Sequence, residues 1–254
     1  VFHFAGLKSI KESNVYPDLY NDVNCIGSSN ILDIMVKKKI YKFIFSSSAL
    51  VYGEHKILPW KENINNLKPI SPYAKSKLEV ELMLKKKFNA NKNWNIGILR
   101  YFNPMGSHTT GLLGDNGKYS DNLVTNIYDV ILGKKPFLEI YGSDYETKDG
   151  TGVRDYIHIN DLVSGHMKSF SFIKKNGGYN IWNLGTGLHY SVLDVVKAFE
   201  KNLNTNIPYK IIERRENDLG QYWADTRKAN TELEWKPKLN LTDMVRDAAR
   251  FIKK

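Results

Sequence analysis

The chain has 254 residues, 42% hydrophobic and 12% aromatic, which is enough to bury a substantial core and too apolar for a disordered chain. No stretch approaches the ~18–20 apolar residues of a membrane span, and the start "VFHFAGLKSI" lacks the charged region, apolar run and cleavage site of a signal peptide. The net charge of +10 does not mark a nucleic-acid surface: Lys37–Lys39 and Lys85–Lys87 fall at the ends of expected helices, where cations suit the dipole, and the other lysines are dispersed. The single cysteine, Cys25, rules out an internal disulfide and fits a reducing, cytoplasmic compartment.

Strand and helix signals alternate along the chain. "VFHF" (1–4) reads as a short strand ending in Ala5-Gly6, and residues 14–38 carry a helical pattern through Val15, Leu19, Val23, Ile26, Ile31, Ile34 and Met35. "YKFIFSSS" (41–48) is strand-like and ends in three serines. After a loop marked by Pro59 and Pro69, Ser71-Pro72 opens a helix to about Phe88, with proline in the first turn, where its absent N–H costs nothing. "NIGILRYF" (95–102) is the next strand, 121–132 a helix and "PFLEIYG" (136–142) a strand. "GVRDYIHIN" runs into a helix with Asp161 expected as its N-cap. "YNIWNLGTG" (179–187) is a strand ending in a glycine turn, Ser191–Leu203 an amphipathic helix and "PYKIIER" a strand, with two short helices after it. This order predicts an α/β fold with a largely parallel sheet, whose chemistry sits at the carboxyl ends of its strands.

Tyr73 and Lys77 in "SPYAKSK" stand four residues apart, one face of a helix, where an ammonium favours the phenolate of a neighbouring tyrosine. Spacing alone does not distinguish them: with 30 lysines in 254 residues, 15 tyrosines meet a lysine four places on about twice by chance, and Tyr52/Lys56 is the other pair. Context does. Tyr52/Lys56 lies between Gly53 and Pro59 in poor helix, whereas Tyr73 opens a helix that follows the Ser46–Ser48 strand end. The six histidines show no metal-ligand spacing and are read as structural, with no metal expected.

A serine run after a strand and Tyr-x3-Lys about 25 residues later resembles the extended short-chain dehydrogenase/reductase superfamily. Within it, "FAGLKSIKES", "FIFSSSALVYG", "SPYAKSKLEVE", "LRYFNPMGSH", "DGTGVRDYIHINDL", "YNIWNLGTG", "SVLDVVKAFE" and "RRENDLGQYWAD" follow in order the blocks of the UDP-glucose 4-epimerase family, over essentially all 254 residues. The related 4,6-dehydratases carry Thr-Asp-Glu where this chain has Ser48-Ala49-Leu50, and the absence of that acid pair argues against dehydration. The resemblance implies a Rossmann-like doubly wound parallel sheet at 1–103 that binds NAD. A smaller UDP-sugar-binding domain follows at 104–254, with about 150–190 returning to the first domain.

It also implies a reaction: the tyrosine takes the proton of the sugar 4-hydroxyl while NAD takes hydride from C4, and hydride returns to the other face of the 4-keto sugar. By position, Tyr73 is the base, Lys77 holds the cofactor ribose and tunes the tyrosine, and Ser48 bonds the 4-oxygen and relays the proton. The cofactor side includes Phe4, Ala5, Gly6, Lys8, Ser46 and Tyr101. The family's cofactor-binding asparagine aligns without gaps to Val23, and Asn24, one residue on, is expected on the cofactor side. The UDP-sugar meets Phe102, Asn103, Asn122, Leu123, Tyr141, Arg154, Arg215 and Asp218, with the two arginines on the diphosphate and Asp218 on the uridine ribose. Tyr222 matches a size gate near the sugar 2-substituent and favours glucose and galactose over their N-acetyl forms.

Plainer roles stand beside these: Arg154 paired with Asp155, Phe102 and Tyr141 as core residues, and "LGTG" as a turn. The family carries roughly 75 residues before the block that opens this chain, including the G-x-G-x-x-G turn that cradles pyrophosphate, so this chain alone is expected to bind NAD weakly or not at all and to show no epimerase turnover. A homodimer is expected at full length. Epimerases of UDP-pentoses or UDP-N-acetylhexosamines, or a non-catalytic UDP-sugar-binding remnant, remain alternatives.

Overall fold

The computed structural model describes residues 1–115, 122–215 and 218–252. In chain order, β1 (Phe2–His3) leads to α1 (Ile10–Val15), α2 (Pro17–Tyr20), a π-helical turn (Asn21–Ile26) and α3 (Gly27–Lys37). Then come β2 (Lys42–Ser48), a 3-10 turn (Ala49–Tyr52), α4 (Pro72–Ala90), β3 (Asn95–Tyr101), β4 (Asn103–Met105), α5 (Leu123–Ile131) and β5 (Leu138–Tyr141). They are followed by β6 (Val153–Arg154), β7 (Tyr156–His158), α6 (Ile159–Asn176), β8 (Tyr179–Leu184), β9 (Tyr190–Ser191), α7 (Val192–Leu203), β10 (Tyr209–Ile212), β11 (Gln221–Tyr222), α8 (Arg227–Glu232) and α9 (Leu241–Ile252).

Local chemistry explains most boundaries. Ser71 caps α4 by accepting from the Ala74 amide, with Pro72 at the first position. Ser191 with Asp194, and Asn122 with Thr125, form capping boxes on α7 and α5. Two expectations need correction. The helix expected over 14–38 starts at Ile10, because Ser9 caps it, and Pro17 breaks it after Val15. Asp161 does not cap α6, which starts at Ile159; its carboxylate accepts from the Lys238 and Leu239 amides at 2.9 and 2.8 Å.

Packing divides the chain into two compact units: 1–101, 164–184 and 225–235 in one, and 102–163, 185–224 and 236–254 in the other. Two segments distant in sequence, 164–184 and 225–235, pack with the first unit. The reason for the last lies at β8, the end strand of the first unit's sheet. Lys228 of α8 donates to the Ile181 carbonyl at 2.8 Å, and Trp182 Nε1 donates to Glu232 at 2.7 Å. Glu62 accepts from the Asn183 amide at 2.8 Å. Side chains thus occupy polar backbone groups that an edge strand would otherwise expose.

The first unit is a four-stranded, all-parallel sheet in the order β1-β2-β3-β8. Leu32 and Met35 of α3 and Val80 and Leu84 of α4 pack on Phe43, Phe45, Ile96 and Ile98 of β2 and β3. The same face of α4 carries charge. Glu81 receives Arg100 of β3 through Nε (3.0 Å) and Nη2 (2.6 Å), and Ser47 of β2 donates to it at 2.5 Å. Both members of the ion pair are buried. Burial alone lowers the Arg100 pKa, but Glu81 more than restores it, so the guanidinium stays charged. Removing one partner of such a pair costs about 3–5 kcal/mol, because the other is left charged and dry.

The second unit holds short sheets: β10 parallel to β5, β4 parallel to β7, and β11-β6-β9. Its core joins Ile127 of α5, Leu138 and Ile140 of β5, Phe199 of α7 and Met244 and Val245 of α9.

Candidate active site

In the first unit the strand-end rule brings the candidate catalytic residues together. Ser48 closes β2 opposite Tyr101 of β3 and caps the 3-10 turn by accepting from the Leu50 amide at 3.2 Å. Its hydroxyl proton is left to serve another acceptor. Lys77 is buried one turn along α4 from Tyr73. Its Nζ donates to the Ser46 carbonyl at 3.0 Å and stands 5.9 Å from the centroid of the half-buried Tyr73 ring. Tyr20 meets that ring edge-on at 6.5 Å. The Ser46 hydroxyl lies 3.3 Å from His166 Nε2. Burial raises the Tyr101 pKa, with Ser46 opposing.

The Ala5-Gly6 turn after β1 is braced by Asn24. Its Oδ1 accepts from the Leu7 amide at 2.8 Å, and its Nδ2 donates to the Leu7 carbonyl (3.1 Å) and to Ser76 Oγ (2.9 Å). Ser76 in turn donates to the Tyr73 carbonyl at 2.8 Å. Val23, the gap-free match, is 41% exposed, whereas Asn24 is 3% exposed. The π turn explains this: it closes on i→i+5 bonds and holds one more residue than an α turn, which rotates Asn24 inward. Both amide hydrogens of Asn24 are used within the protein, so it shapes the turn. Gly6 (φ +154°) has room for no side chain: a Cβ there would fall 2.8 Å from Asn24 Oδ1 and 3.7 Å from Lys77 Nζ. Phe4, Ala5, Gly6 and Lys8 are exposed on this turn, and Phe4 stacks near His166 at 5.0 Å.

In the second unit Arg154 is the hub. Its Nη2 donates to Asp218 at 2.6 Å and its Nη1 to the Val153 and Gly220 carbonyls, while the guanidinium lies 4.6 Å from the Tyr222 ring centroid. Phe102 packs on Tyr222 at 6.1 Å, and Asn103 bonds through its amide to the Asp155 carbonyl. Burial raises the Tyr222 pKa, with Arg154 opposing. Arg154 does not pair with Asp155: its guanidinium takes Asp218, and Asp155, between β6 and β7, takes other donors. Asp155 is buried and accepts from the Thr186 amide and hydroxyl and from the Gly187 and Ala224 amides, all within 3.1 Å. It therefore sets the shape of the "LGTG" turn. Arg215 stacks on Tyr141 at 3.8 Å as a separate contact. Asn122 is engaged in capping α5, and Leu123 packs on the unit's core.

A family model described as GDP-mannose 4,6 dehydratase matches residues 1–248. The chain is 46% identical over 255 residues to a UDP-glucose 4-epimerase of Pasteurella multocida, covering 100% of this chain and 75% of that one. It is 42% identical over 254 residues to that of Homo sapiens, covering 100% and 73%. The chain belongs to the UDP-glucose 4-epimerase family. Among solved structures, it superposes at TM-score 0.96 and 38% identity on the enzyme from Stenotrophomonas maltophila with bound NAD and formylated UDP-arabinopyranose, covering 100% and 75%. The enzyme from Bifidobacterium longum in complex with NAD+ and UDP superposes at TM-score 0.93 and 42% identity, covering 100% and 76%. The chain thus spans about three quarters of these epimerases, and its fold is theirs. No helix among the described residues is long and apolar enough to cross a membrane, and no His/Cys/Asp/Glu cluster among them suits a metal.

Burial pulls the Lys77 pKa down from 10.5 to about 8, with Cys25 opposing. Between about 8 and 10.5 the unfolded chain therefore binds more protons than the folded one, and the stability contributed at Lys77 rises with pH. Below about 8 the folded state carries the full cost of the buried charge. Urea unfolding should show the stability of the wild type, relative to Lys77→Met, climbing across that window; a difference that stays flat contradicts the buried ammonium.

Proposed function

We propose that this protein interconverts UDP-glucose and UDP-galactose by transient oxidation at the sugar C4, as in galactose metabolism. The observation that carries the reading is the Tyr73/Lys77 pair seated on the Ser46–Ser48 strand end within an epimerase-family fold. The exposed turn at Phe4–Gly6, beside a buried ammonium and closed to any Cβ, fits NAD as cofactor. When bound, NAD supplies the acceptor and donor of the C4 hydride.

The chain's own residues handle the proton. Tyr73 takes it from the sugar 4-hydroxyl and gives it back, and Ser48 donates to the 4-oxygen and relays the proton. Lys77 holds its ammonium where it stabilises negative charge on the Tyr73 oxygen during that transfer, anchored by the Ser46 carbonyl. Ser46 and Tyr101 complete the cofactor side, with Lys8 on the exposed turn and Asn24 bracing it. In the second unit, Arg154 and Arg215 take the diphosphate, Asp218 the uridine ribose, and Phe102, Asn103, Asn122, Leu123 and Tyr141 the remainder of the UDP-sugar. The site lacks the acid pair of the dehydratases: Ala49 is buried and Leu50 continues the 3-10 turn.

A cytoplasmic setting accords with the buried free thiol of Cys25. Exposed Val15, Leu19, Val23 and Ile26 before α3, and Leu82 on α4, support a homodimer. Tyr222, buried against Arg154 and Phe102, fits a gate that keeps out N-acetyl groups.

At the full length of its relatives, and with NAD and UDP-galactose supplied, the protein should form UDP-glucose, and Tyr73→Phe should lower kcat about 10²–10⁴-fold with UDP affinity unchanged. A wild-type protein that binds both NAD and UDP yet does not turn over overturns the assignment. Tyr222→Cys should gain turnover of UDP-N-acetylglucosamine; no gain removes the gate.

A further inference from the structure

Buried polar side chains are nearly always hydrogen-bonded, so a buried hydroxyl with no partner calls for an acceptor beyond the described residues. Tyr145, on the loop between β5 and β6, is 7% exposed and its hydroxyl has no hydrogen-bond partner among the described residues. The ring is held on several sides. The Arg214 guanidinium stacks 4.1 Å from its centroid, a Cβ on Gly142 would lie 2.7 Å from its Cε2, and one on Gly220 would lie 3.1 Å from its Cδ1. Gly220 is also the residue whose carbonyl receives Arg154 Nη1 at 3.2 Å. The ring and the Arg154 guanidinium therefore meet at one backbone unit, and both Arg154 and Asp218 act electrostatically on the phenol. Burial, then Asp218, raises the Tyr145 pKa, so the hydroxyl is a donor at neutral pH. What it lacks is an acceptor.

Across the same hub, Asn103 Oδ1 is also buried without a partner, and Asn103 is within hydrogen-bonding reach of Tyr222, against which Arg154 packs. One orphan donor and one orphan acceptor thus flank the arginine assigned to the diphosphate. We infer that Tyr145 is a further ligand-binding residue of the second unit, donating its hydroxyl to a phosphate oxygen of a nucleoside diphosphate seated on Arg154. The inference rests on the UDP-sugar reading of that unit. The rigid seating of the ring means little side-chain entropy is lost when the bond forms.

The test is calorimetric titration of the full chain with UDP, pyrophosphate and uridine, together with thermal melting. Tyr145→Phe removes only the oxygen. It should weaken UDP and pyrophosphate about tenfold, leave uridine unchanged, and melt at or above the wild-type temperature, since an unsatisfied buried group is lost. Equal UDP affinity in variant and wild type overturns the role of Tyr145 while leaving the UDP-sugar reading intact. So does a lower melting temperature with affinity unchanged, which marks a structural hydroxyl. A wild type that binds neither UDP nor pyrophosphate overturns the reading on which the inference rests.

Discussion

An ammonium stripped of water has to find an oxygen, and at Lys77 the oxygen is the backbone carbonyl of Ser46. That one bond ties the helix bearing Tyr73 to the strand end bearing Ser48. It does not act alone: one turn on, Glu81 takes the hydroxyl of Ser47 and the guanidinium of Arg100. Consecutive turns of α4 are therefore pinned to consecutive residues of β2 by charge-assisted bonds whose geometry tolerates little slippage. Apolar packing of Val80 and Leu84 supplies most of the attraction between helix and sheet, but it is non-directional. Register comes from the polar contacts, and register decides whether a phenol and a serine face the same sugar oxygen.

The second unit applies the same principle around Arg154, the arginine proposed for the diphosphate. Asp155 is buried so deeply that desolvation raises its pKa, against donors from Thr186, Ala224 and Gly187 that favour the carboxylate. By collecting those donors it fixes the glycine turn and the segment that leads out of β11. Its chain neighbour, Arg154, meets Asp218, Tyr222 and the carbonyl of Gly220. Two adjacent residues of opposite charge thus do different work: Asp155 braces the turn, and Arg154, paired with Asp218, is the arginine proposed for the diphosphate.

How much of this was legible in the sequence follows from the range of the interactions. The start of α4 was readable because Ser71, Pro72 and the Ala74 amide lie within four residues of one another. So was the Ser46–Ser48 strand end, and with it the separation of Tyr73/Lys77 from the chance pair Tyr52/Lys56. Asn24 was legible as the cofactor-side asparagine, but the reason that it rather than Val23 turns inward was not, since a π turn changes the helical phase by one residue and leaves no mark in an ungapped comparison. Asp161 looks like a cap locally, but its partners are the amides of Lys238 and Leu239, some eighty residues on. Glu81 with Arg100, and α8 against β8, are likewise pairings that only the tertiary fold creates. The unpaired hydroxyl of Tyr145 had no sequence signal at all, because an absent partner is visible only when the surroundings are known.

The central claim is that Tyr73 moves only a proton on oxygen, while the hydrogen on C4 leaves and returns as hydride without meeting solvent. UDP-galactose carrying deuterium at C4 tests this directly when turned over with NAD in ordinary water by the protein at the full length of its relatives. The product should be UDP-glucose that retains the deuterium at C4 with inverted configuration. UDP-glucose whose C4 deuterium has been exchanged for solvent hydrogen would contradict the account.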